Sequence, residues 1–371
     1  MRIGVPKEIK DQEYRVGLTP ASVRELVHRG HTVLVQAGAG AAIGLTDQSY
    51  QLAGASLAGD ATEVYGSADM IVKVKEPQPV ERALLRPGQI LYAYLHLAAD
   101  REQTMDLLKS GAVCVAYETV TAADGSLPLL APMSEVAGRM SVQVAAAYLE
   151  KPQGGMGLLL GGVPGVAPAH VVVMGAGVVG TNAIRIAVGM GARVTVLDRN
   201  IERLRHLELV YGNRVVTLYS SADAIERALL AADAVIGAVL VPGSEAPKLV
   251  TAAMVGRMKG SSVMVDVAID QGGCFETSRP TSHTAPTYVV DGVLHYCVTN
   301  MPAAVARTST FALNNATIGY ATAIADKGWS RALAEDPCLR AGLNVCRGNV
   351  TYAAVALAHG LAYVPADEVL A

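Results

Sequence analysis

The stretch Val171 to Asp198, VVVMGAGVVGTNAIRIAVGMGARVTVLD, constrains this chain more than any other, because it spells strand, glycine turn, helix, strand and acidic residue without a break. Val171, Val172, Val173 and Met174 form an apolar run of the kind found in strands buried on both faces of a parallel sheet. Gly175, Gly177 and Gly180 follow at G-x-G-x-x-G spacing. In such a unit the first glycine permits the tight turn, the second lets a pyrophosphate approach the backbone, and the third lets the helix sit close on the strand. The phosphates would meet free N–H groups and the positive end of the helix dipole. Gly191 closes the helix, Arg193 to Leu197 make the next strand, and Asp198 stands at its carboxyl end. A carboxylate there accepts both ribose hydroxyls of NAD and repels the 2′-phosphate of NADP. Among 37 glycines the spacing alone would often be chance. The strand before it, the helix after it and the placed acid make it a dinucleotide-binding βαβ unit.

At 371 residues the chain exceeds a comfortable single core, which predicts two domains. With 51% hydrophobic and only 17% charged residues, there are few charges to cover a monomer's surface, so a homo-oligomer is expected. The 30 basic and 33 acidic residues are spread through the chain, leaving no basic stripe for nucleic acid and no polybasic membrane tether. Small-molecule partners are favoured. Cys114, Cys274, Cys297, Cys338 and Cys346 are odd in number with no C-x-x-C pair, and they read as reduced cytosolic thiols rather than a disulfide framework or zinc site. MRIGVPKE has no apolar core of a signal peptide. The most apolar window, Leu158 to Gly180, is cut by Pro164, Pro168 and His170 and makes a poor membrane helix. The expected compartment is the cytoplasm.

Along the chain, strands are expected at Arg2–Pro6, Thr32–Gln36, Asp69–Val74, Gln89–Leu95 and Ala112–Ala116, with helices capped at Thr19 and Thr46 and another over Arg101–Ser110. This alternation predicts a second doubly wound α/β domain without a G-x-G-x-x-G of its own. Pro132 to Lys151 reads as a long linking helix. Strands of the dinucleotide domain are expected at Arg214–Leu218, Asp233–Ala238, Ser262–Val267, Tyr288–Val290 and His295–Val298. After Asn300-Met301-Pro302 the composition turns helical through Phe311–Ala325 and Val350–His359. The expected fold is α/β with two doubly wound Rossmann-like domains and a ligand cleft between them. The first, residues 1–130 plus 305–371, would take substrate, and 131–304 would take NAD.

Arg15 lies in a loop between a strand and a capped helix, where its fork of donors could clamp a carboxylate, though a solvated surface arginine is the alternative. Lys75 ends the run IVKVK before Pro77, and Lys73 points the same way by the two-residue period, so periodicity does not choose between them. His96 ends the apolar run ILYAYL and titrates near working pH, which makes it the acid/base candidate against a structural histidine. Asp270 ends the strand-like run VMVDVAID before Gly272-Gly273, while Asp266 is expected within the sheet.

The segments RIGVPKEIKDQEYRVGLTP, IVKVKEPQP, YLHLA, LLAPMSEVAGRM, VMGAGVVG and IGAVLVPG, and above all DVAIDQGGCFE with NMPAAV, resemble the bacterial L-alanine dehydrogenases over nearly the whole chain. The resemblance implies NAD-dependent, reversible conversion of L-alanine to pyruvate and ammonium, by a hexamer. It implies that Arg15 and Lys75 bind substrate and that His96 and Asp270 are catalytic. For the cofactor it implies Ser134, Gly175, Gly177, Val178, Val179, Gly180, Asp198, Arg203, Ser220, Val239, Leu240, Val267, Asp270, Arg279, Asn300 and Met301. Glu118, in a matching AYET segment, is kept as an acid by related non-catalytic subunits and reads as structural. Some relatives have a metal site on the late helix around Ala323 and Lys327, where this chain offers no ligand pair, so no metal is expected. The rival is the NAD-binding hydride-transfer subunit of a proton-translocating transhydrogenase, similar in its amino-terminal segment, which does not need Lys75, His96 and Asp270.

Overall fold

The computed structural model describes residues 1–239 and 246–370. Its strands in chain order are β1 (Arg2–Val5), β2 (Thr32–Gln36), β3 (Ser56–Ala58), β4 (Met70–Val72), β5 (Ile90–Ala93) and β6 (Val113–Ala116). There follow β7 (His170–Met174), β8 (Arg193–Asp198), β9 (Val215–Tyr219), β10 (Ala234–Gly237), β11 (Val263–Asp266), β12 (Thr287–Val290) and β13 (Val293–Tyr296). The tail adds β14 (Leu343–Cys346) and β15 (Asn349–Val350). The chain divides into two compact units, Met1–Met133 with Val305–Ala371, and Ser134–Ala304. The first boundary falls inside the helix Ala131–Tyr148.

The first unit is built on an eight-stranded sheet of order β15-β14-β6-β5-β4-β1-β2-β3. From β3 to β6 every pairing is parallel, and β14 adds to β6 antiparallel. Both faces are covered, as a parallel sheet requires. On one face Ile71, Leu91, Ala93 and Cys114 join Val64, Tyr65, Leu107 and Val355 of the helices Ala61–Ser67, Arg101–Ser110 and Ala353–His359 in one core. Tyr92, between Leu91 and Ala93, points to the opposite face, where its hydroxyl donates to the Thr317 carbonyl of the helix Ala306–Lys327 (3.2 Å). That tail helix also fastens the loop after β1. Asn314 accepts from the Thr19 amide (2.9 Å) and from Ser22 Oγ (2.6 Å), and donates to the Gly17 carbonyl (2.7 Å).

The second unit carries a seven-stranded sheet of order β12-β13-β11-β10-β7-β8-β9, parallel except for the hairpin partner β12. On one face Val172, Met174, Val235 and Met264 pack with Ile225 and Leu229 of the helix Ala222–Ala231. Both sheets show the doubly wound order in which the strand sequence reverses beside the first strand. In one unit that switch lies between β1 and β4, in the other between β7 and β10.

The caps expected at Thr19 and Thr46 are present, each hydroxyl accepting an amide of the first turn. Three expected strands are shorter than their apolar runs. The first ends at Val72, leaving Lys73 to Lys75 in the loop, and another ends at Ala93, leaving His96 three residues beyond it. The third ends at Asp266, which is in the sheet as expected, while Asp270, expected to end the run, lies in the 3-10 turn Val267–Gln271. The Asp266 carboxylate accepts the Ala268 amide and breaks the ladder there. The short strand β3 and the helices Ala61–Ser67 and Pro79–Arg82 add to the elements expected from sequence.

Candidate active site

In the first unit the loop after β1 is long and charged, and three of its charged residues, Glu8, Glu13 and Arg15, are buried. Arg15 is 1% exposed, so the surface reading of this arginine fails. Its Nε and Nη2 donate to the two carboxylate oxygens of Glu13 (2.6 and 2.5 Å), and Nη1 contacts Met133 Sδ (3.1 Å). Burial alone would favour loss of the charge, but the hydrogen bonds and charge of Glu13 outweigh it and hold the guanidinium above its ordinary value. The edge used by Glu13 is the one a side-on carboxylate would take, so Glu13 fixes which part of the fork is presented elsewhere.

The two lysines that periodicity left equivalent are in different chemistry. Lys73 is fully buried and donates to Glu81 (2.7 Å) and Glu8 (3.1 Å), while Glu8 also accepts the Val74 amide (2.7 Å). Both carboxylates and the ammonium are consumed in holding the end of β4. Lys75 is half-buried, with Nζ 3.3 Å from His96 Nε2 and 6.0 Å from the centre of the Tyr94 ring. Tyr94 stacks on His96 with ring centres 5.8 Å apart and planes 7° apart, and its hydroxyl donates to the Leu129 carbonyl (2.5 Å). Desolvation pushes its phenol well up, with Arg15 pulling the other way, so it stays neutral. Tyr94 is therefore shared by Lys75, His96 and Arg15.

His96 has φ +52°, a left-handed conformation that non-glycine residues adopt only when held. Glu118 holds it, accepting the His96 amide (2.6 Å) and the Leu95 amide (3.2 Å). Gln103 donates to the Leu95 carbonyl (2.5 Å), and Thr104 and His359 meet the Leu97 carbonyl (3.0 and 2.7 Å). Beside it, Glu76 pairs with Lys10; burial alone would raise this carboxyl, but Lys75 and Lys10 prevail and lower it.

In the second unit the glycine turn has the geometry its spacing predicts. Gly175 has φ +100°, and a Cβ there would lie 2.6 Å from the Ala238 carbonyl oxygen. A Cβ on Gly180 would lie 1.8 Å from the Gly175 oxygen, so the helix Val178–Gly189 is seated on the turn as only glycine allows. At Gly177 a Cβ would meet nothing nearer than Arg203 Nη1 at 4.0 Å, which leaves that face of the turn open for a diphosphate. Asp198, last residue of β8, accepts the Ala176 amide (2.6 Å) and the Asn200 amide (2.7 Å), with Arg203 Nη1 3.9 Å away. Ser220 follows β9 and donates its amide to the Asp198 carbonyl (3.1 Å). Gly175, Gly177, Asp198, Arg203 and Ser220 are thus brought together, with Val178 and Val179 in the first helical turn and Val239 beside Gly175. Leu240 lies outside the described residues.

Asp270 is exposed and Val267 half-buried in the turn after β11. Asp266 organises that turn: beyond Ala268 it accepts the Cys274 amide (2.9 Å) and Ser278 Oγ (2.5 Å). Desolvation raises its carboxyl, against the pull of those donors. Arg279 lies 4.2 Å over the Tyr288 ring and donates its amide to the Tyr288 hydroxyl (2.8 Å). Asn300 has φ +60°, Met301 opens the 3-10 turn Met301–Val305, and Ser134 is half-buried on the helix Ala131–Tyr148. Glu8, Glu13, Glu81, Gln103 and Asp266 escape sequence reasoning because each acts through partners distant in the chain or on backbone atoms. A glutamate two residues before Arg15 is the one available signal. Among the described residues no group of three or more His, Cys, Asp or Glu side chains could hold a metal ion, and no helix is long and apolar enough to cross a membrane.

Comparison with known proteins is consistent along the whole chain. The alanine dehydrogenase/PNT N-terminal domain model matches residues 4–137 and the C-terminal domain model residues 141–353. An alanine dehydrogenase of Halomonas elongata is 60% identical over 370 residues, covering 100% of each chain, and one of Mycobacterium tuberculosis is 55% identical over 371 residues with the same coverage. A solved L-alanine dehydrogenase superposes with a TM-score of 0.95 at 54% identity, over 97% of this chain and 99% of its own. A transhydrogenase from Sinorhizobium meliloti is more distant, with a TM-score of 0.81 and 26% identity over 95% of this chain and 100% of its own. The chain belongs to the alanine dehydrogenase/PNT family, on the side of its alanine dehydrogenases.

Proposed function

We propose that this enzyme catalyses the reversible oxidative deamination of L-alanine to pyruvate and ammonium with NAD. The unit Met1–Met133 with Val305–Ala371 takes the amino acid, and the unit Ser134–Ala304 takes the nucleotide. The observation that carries the reading is the cluster of Lys75, His96 and Tyr94 at the carboxyl ends of β4 and β5, an acid/base group beside a cation on a stacked aromatic face. Full-length identity to alanine dehydrogenases supports it.

Bound NAD supplies a hydride acceptor for the substrate Cα. The glycine turn and the first helical turn hold its phosphates, Asp198 its adenosine ribose, and Arg203, Ser220, Val239 and Leu240 the surroundings of the adenosine. Ser134, Val267, Asp270, Arg279, Asn300 and Met301 complete the nucleotide contacts. Arg15 and Lys75 bind the substrate carboxylate, and Lys75 offsets negative charge on the oxygen that becomes the pyruvate carbonyl. His96 takes a proton from the amino nitrogen as Cα is oxidised to the imine. His96 and Asp270 then activate water to add to the imine carbon, and His96 returns a proton to nitrogen as the carbinolamine collapses to pyruvate and ammonium.

The test is NADH formation on mixing the protein with L-alanine and NAD at alkaline pH, repeated with His96→Ala and Asp270→Asn. The expected result is activity in the natural chain and a loss in kcat of roughly 10²-fold or more in each variant, the usual scale for a positioned acid/base group. Absent activity would reject the function, and near-natural kcat in His96→Ala would return that residue to a structural role. The enzyme is a homo-oligomer, a hexamer by family resemblance, and works in the cytoplasm, where its five free cysteines remain reduced. Light scattering at the mass of one chain would reject the oligomer.

A further inference from the structure

The His96 turn contains an anion site already filled by the protein. Successive amides of Leu95 and His96, the second residue left-handed at φ +52°, converge on one carboxylate, that of Glu118. Such a concave pair of N–H groups binds anions in many proteins, and here the anion comes from the turn after β6, Tyr117–Thr119. The same Glu118 oxygen lies 4.0 Å from His96 Nδ1. The other ring nitrogen, Nε2, is 3.3 Å from the Lys75 ammonium, which can only donate, so Nε2 presents a lone pair and the neutral ring carries its proton on Nδ1. A carboxylate on the Nδ1 side stabilises that same tautomer and also the imidazolium. Charged or titratable groups facing His96 include Lys75, Glu76, Glu118 and Tyr94.

We propose that Glu118 is the positioning residue of His96: it locks the left-handed turn through the Leu95 and His96 amides and sets the ring with Nε2 as the basic nitrogen. This rests on the reading of His96 as the acid/base group. Glu118 touches no reacting atom and acts only through His96.

Glu118→Gln keeps size and an amide-accepting oxygen but removes the charge, whereas Glu118→Ala removes both. In the full-length enzyme Glu118→Gln should lower kcat for alanine oxidation about 10-fold, and Glu118→Ala about 10²-fold, the range for groups that orient a functional histidine. NADH binding by fluorescence should be unchanged. In Glu118→Gln the acidic limb of the kcat/KM profile should move to lower pH, because the imidazolium has lost a stabilising negative neighbour. Should Glu118→Ala fail to fold, Glu118→Gln alone carries the test. An unmoved acidic limb in Glu118→Gln, whether kcat falls or stays natural, overturns the proposal. His96→Ala separates the two readings. If it keeps natural kcat, the reading of His96 fails; if it loses kcat while Glu118→Gln does not, only the role of Glu118 fails.

Discussion

The two units have the same strand order through their fifth strand, yet they dress the switch point in opposite ways. After β7 the chain turns within three residues, Gly175 to Gly177, and enters a helix whose first turn carries no capping side chain. After β1 it takes the loop from Pro6 to Thr19 before its helix begins, and buries Glu8, Glu13 and Arg15 in that loop. One switch offers backbone N–H groups and the other buried charged side chains. The difference follows from the ligands proposed. A diphosphate is served by several N–H groups and a helix dipole, which demand close approach and therefore glycine. A small substrate carboxylate needs a cation held in one place, and a buried cation needs a carboxylate to hold it. The backbone solution is cheap to encode locally. The side-chain solution draws on residues from four separate segments.

That contrast predicts where the first unit breaks. Lys73→Met removes the ammonium that bridges Glu8 and Glu81 and leaves two buried carboxylates without it. The expected loss of stability is about 3–5 kcal/mol, the scale for stripping one partner from a buried ion pair. The pH dependence has a definite sign. Desolvation already raises Glu8 above its ordinary 4.5. A carboxyl with a raised folded pKa contributes stability that is present below its unfolded value and lost as pH rises through its folded value. The deficit of Lys73→Met against the natural chain should therefore shrink as pH falls toward 4.5 and widen above it. Thermal unfolding across that range measures it, and a deficit independent of pH would show that the carboxylates are not what the lysine serves.

The second unit should break at a backbone contact instead. Gly180→Ala places a methyl 1.8 Å from the Gly175 carbonyl oxygen, a main-chain atom that cannot swing aside. The helix must lift from the turn, at a cost of about 1–3 kcal/mol or somewhat more by the scale of overpacking. NADH affinity should fall by a comparable amount, since the amides that meet the phosphates move with the helix. Fluorescence titration showing natural NADH affinity would mean the turn yields without consequence, and the close seat of the helix would not be the reason for glycine there.

The same contrast explains what the sequence made legible. The glycine turn and Asp198 were readable because local spacing alone dictates their geometry, from φ +100° at Gly175 to the seat of Gly180. Arg15 and the lysine pair were not, because burial depends on residues far along the chain. Arg15 looks like any loop arginine until Glu13 and Met133 enclose it, and Lys73 and Lys75 differ only once Glu81 and His96 are beside them. Asp270 lies beyond the end of the strand for a related reason. The apolar run continues past Asp266, but its carboxylate captures the Ala268 and Cys274 amides and stops the ladder.

The last expected effect is on nucleotide choice, and it tests whether the backbone switch also depends on one charge. The Asp198 carboxylate is held beside the glycine turn by the Ala176 and Asn200 amides, so its position is set before any ribose arrives. Asp198→Ala removes a charged acceptor for the ribose hydroxyls, worth about 1.5–3 kcal/mol for a hydrogen bond to a charged group. It also removes the repulsion that would meet a 2′-phosphate, and Arg203, 3.9 Å from that carboxylate, loses its neighbour and becomes available to the phosphate. Affinity for NAD should fall and that for NADP rise, so the ratio of kcat/KM values for NADP over NAD should climb by about 10-fold or more. The ranking of effects matters as much as the shift. The variant should lose about 1–3 kcal/mol of stability, because the buried Ala176 amide loses its acceptor, while Asn200 still caps the helix Ile201–Tyr211 through the Arg203 amide. A natural enzyme that already used NADP as well as NAD would remove the role given to Asp198, and the backbone turn would then bind the diphosphate without choosing between nucleotides.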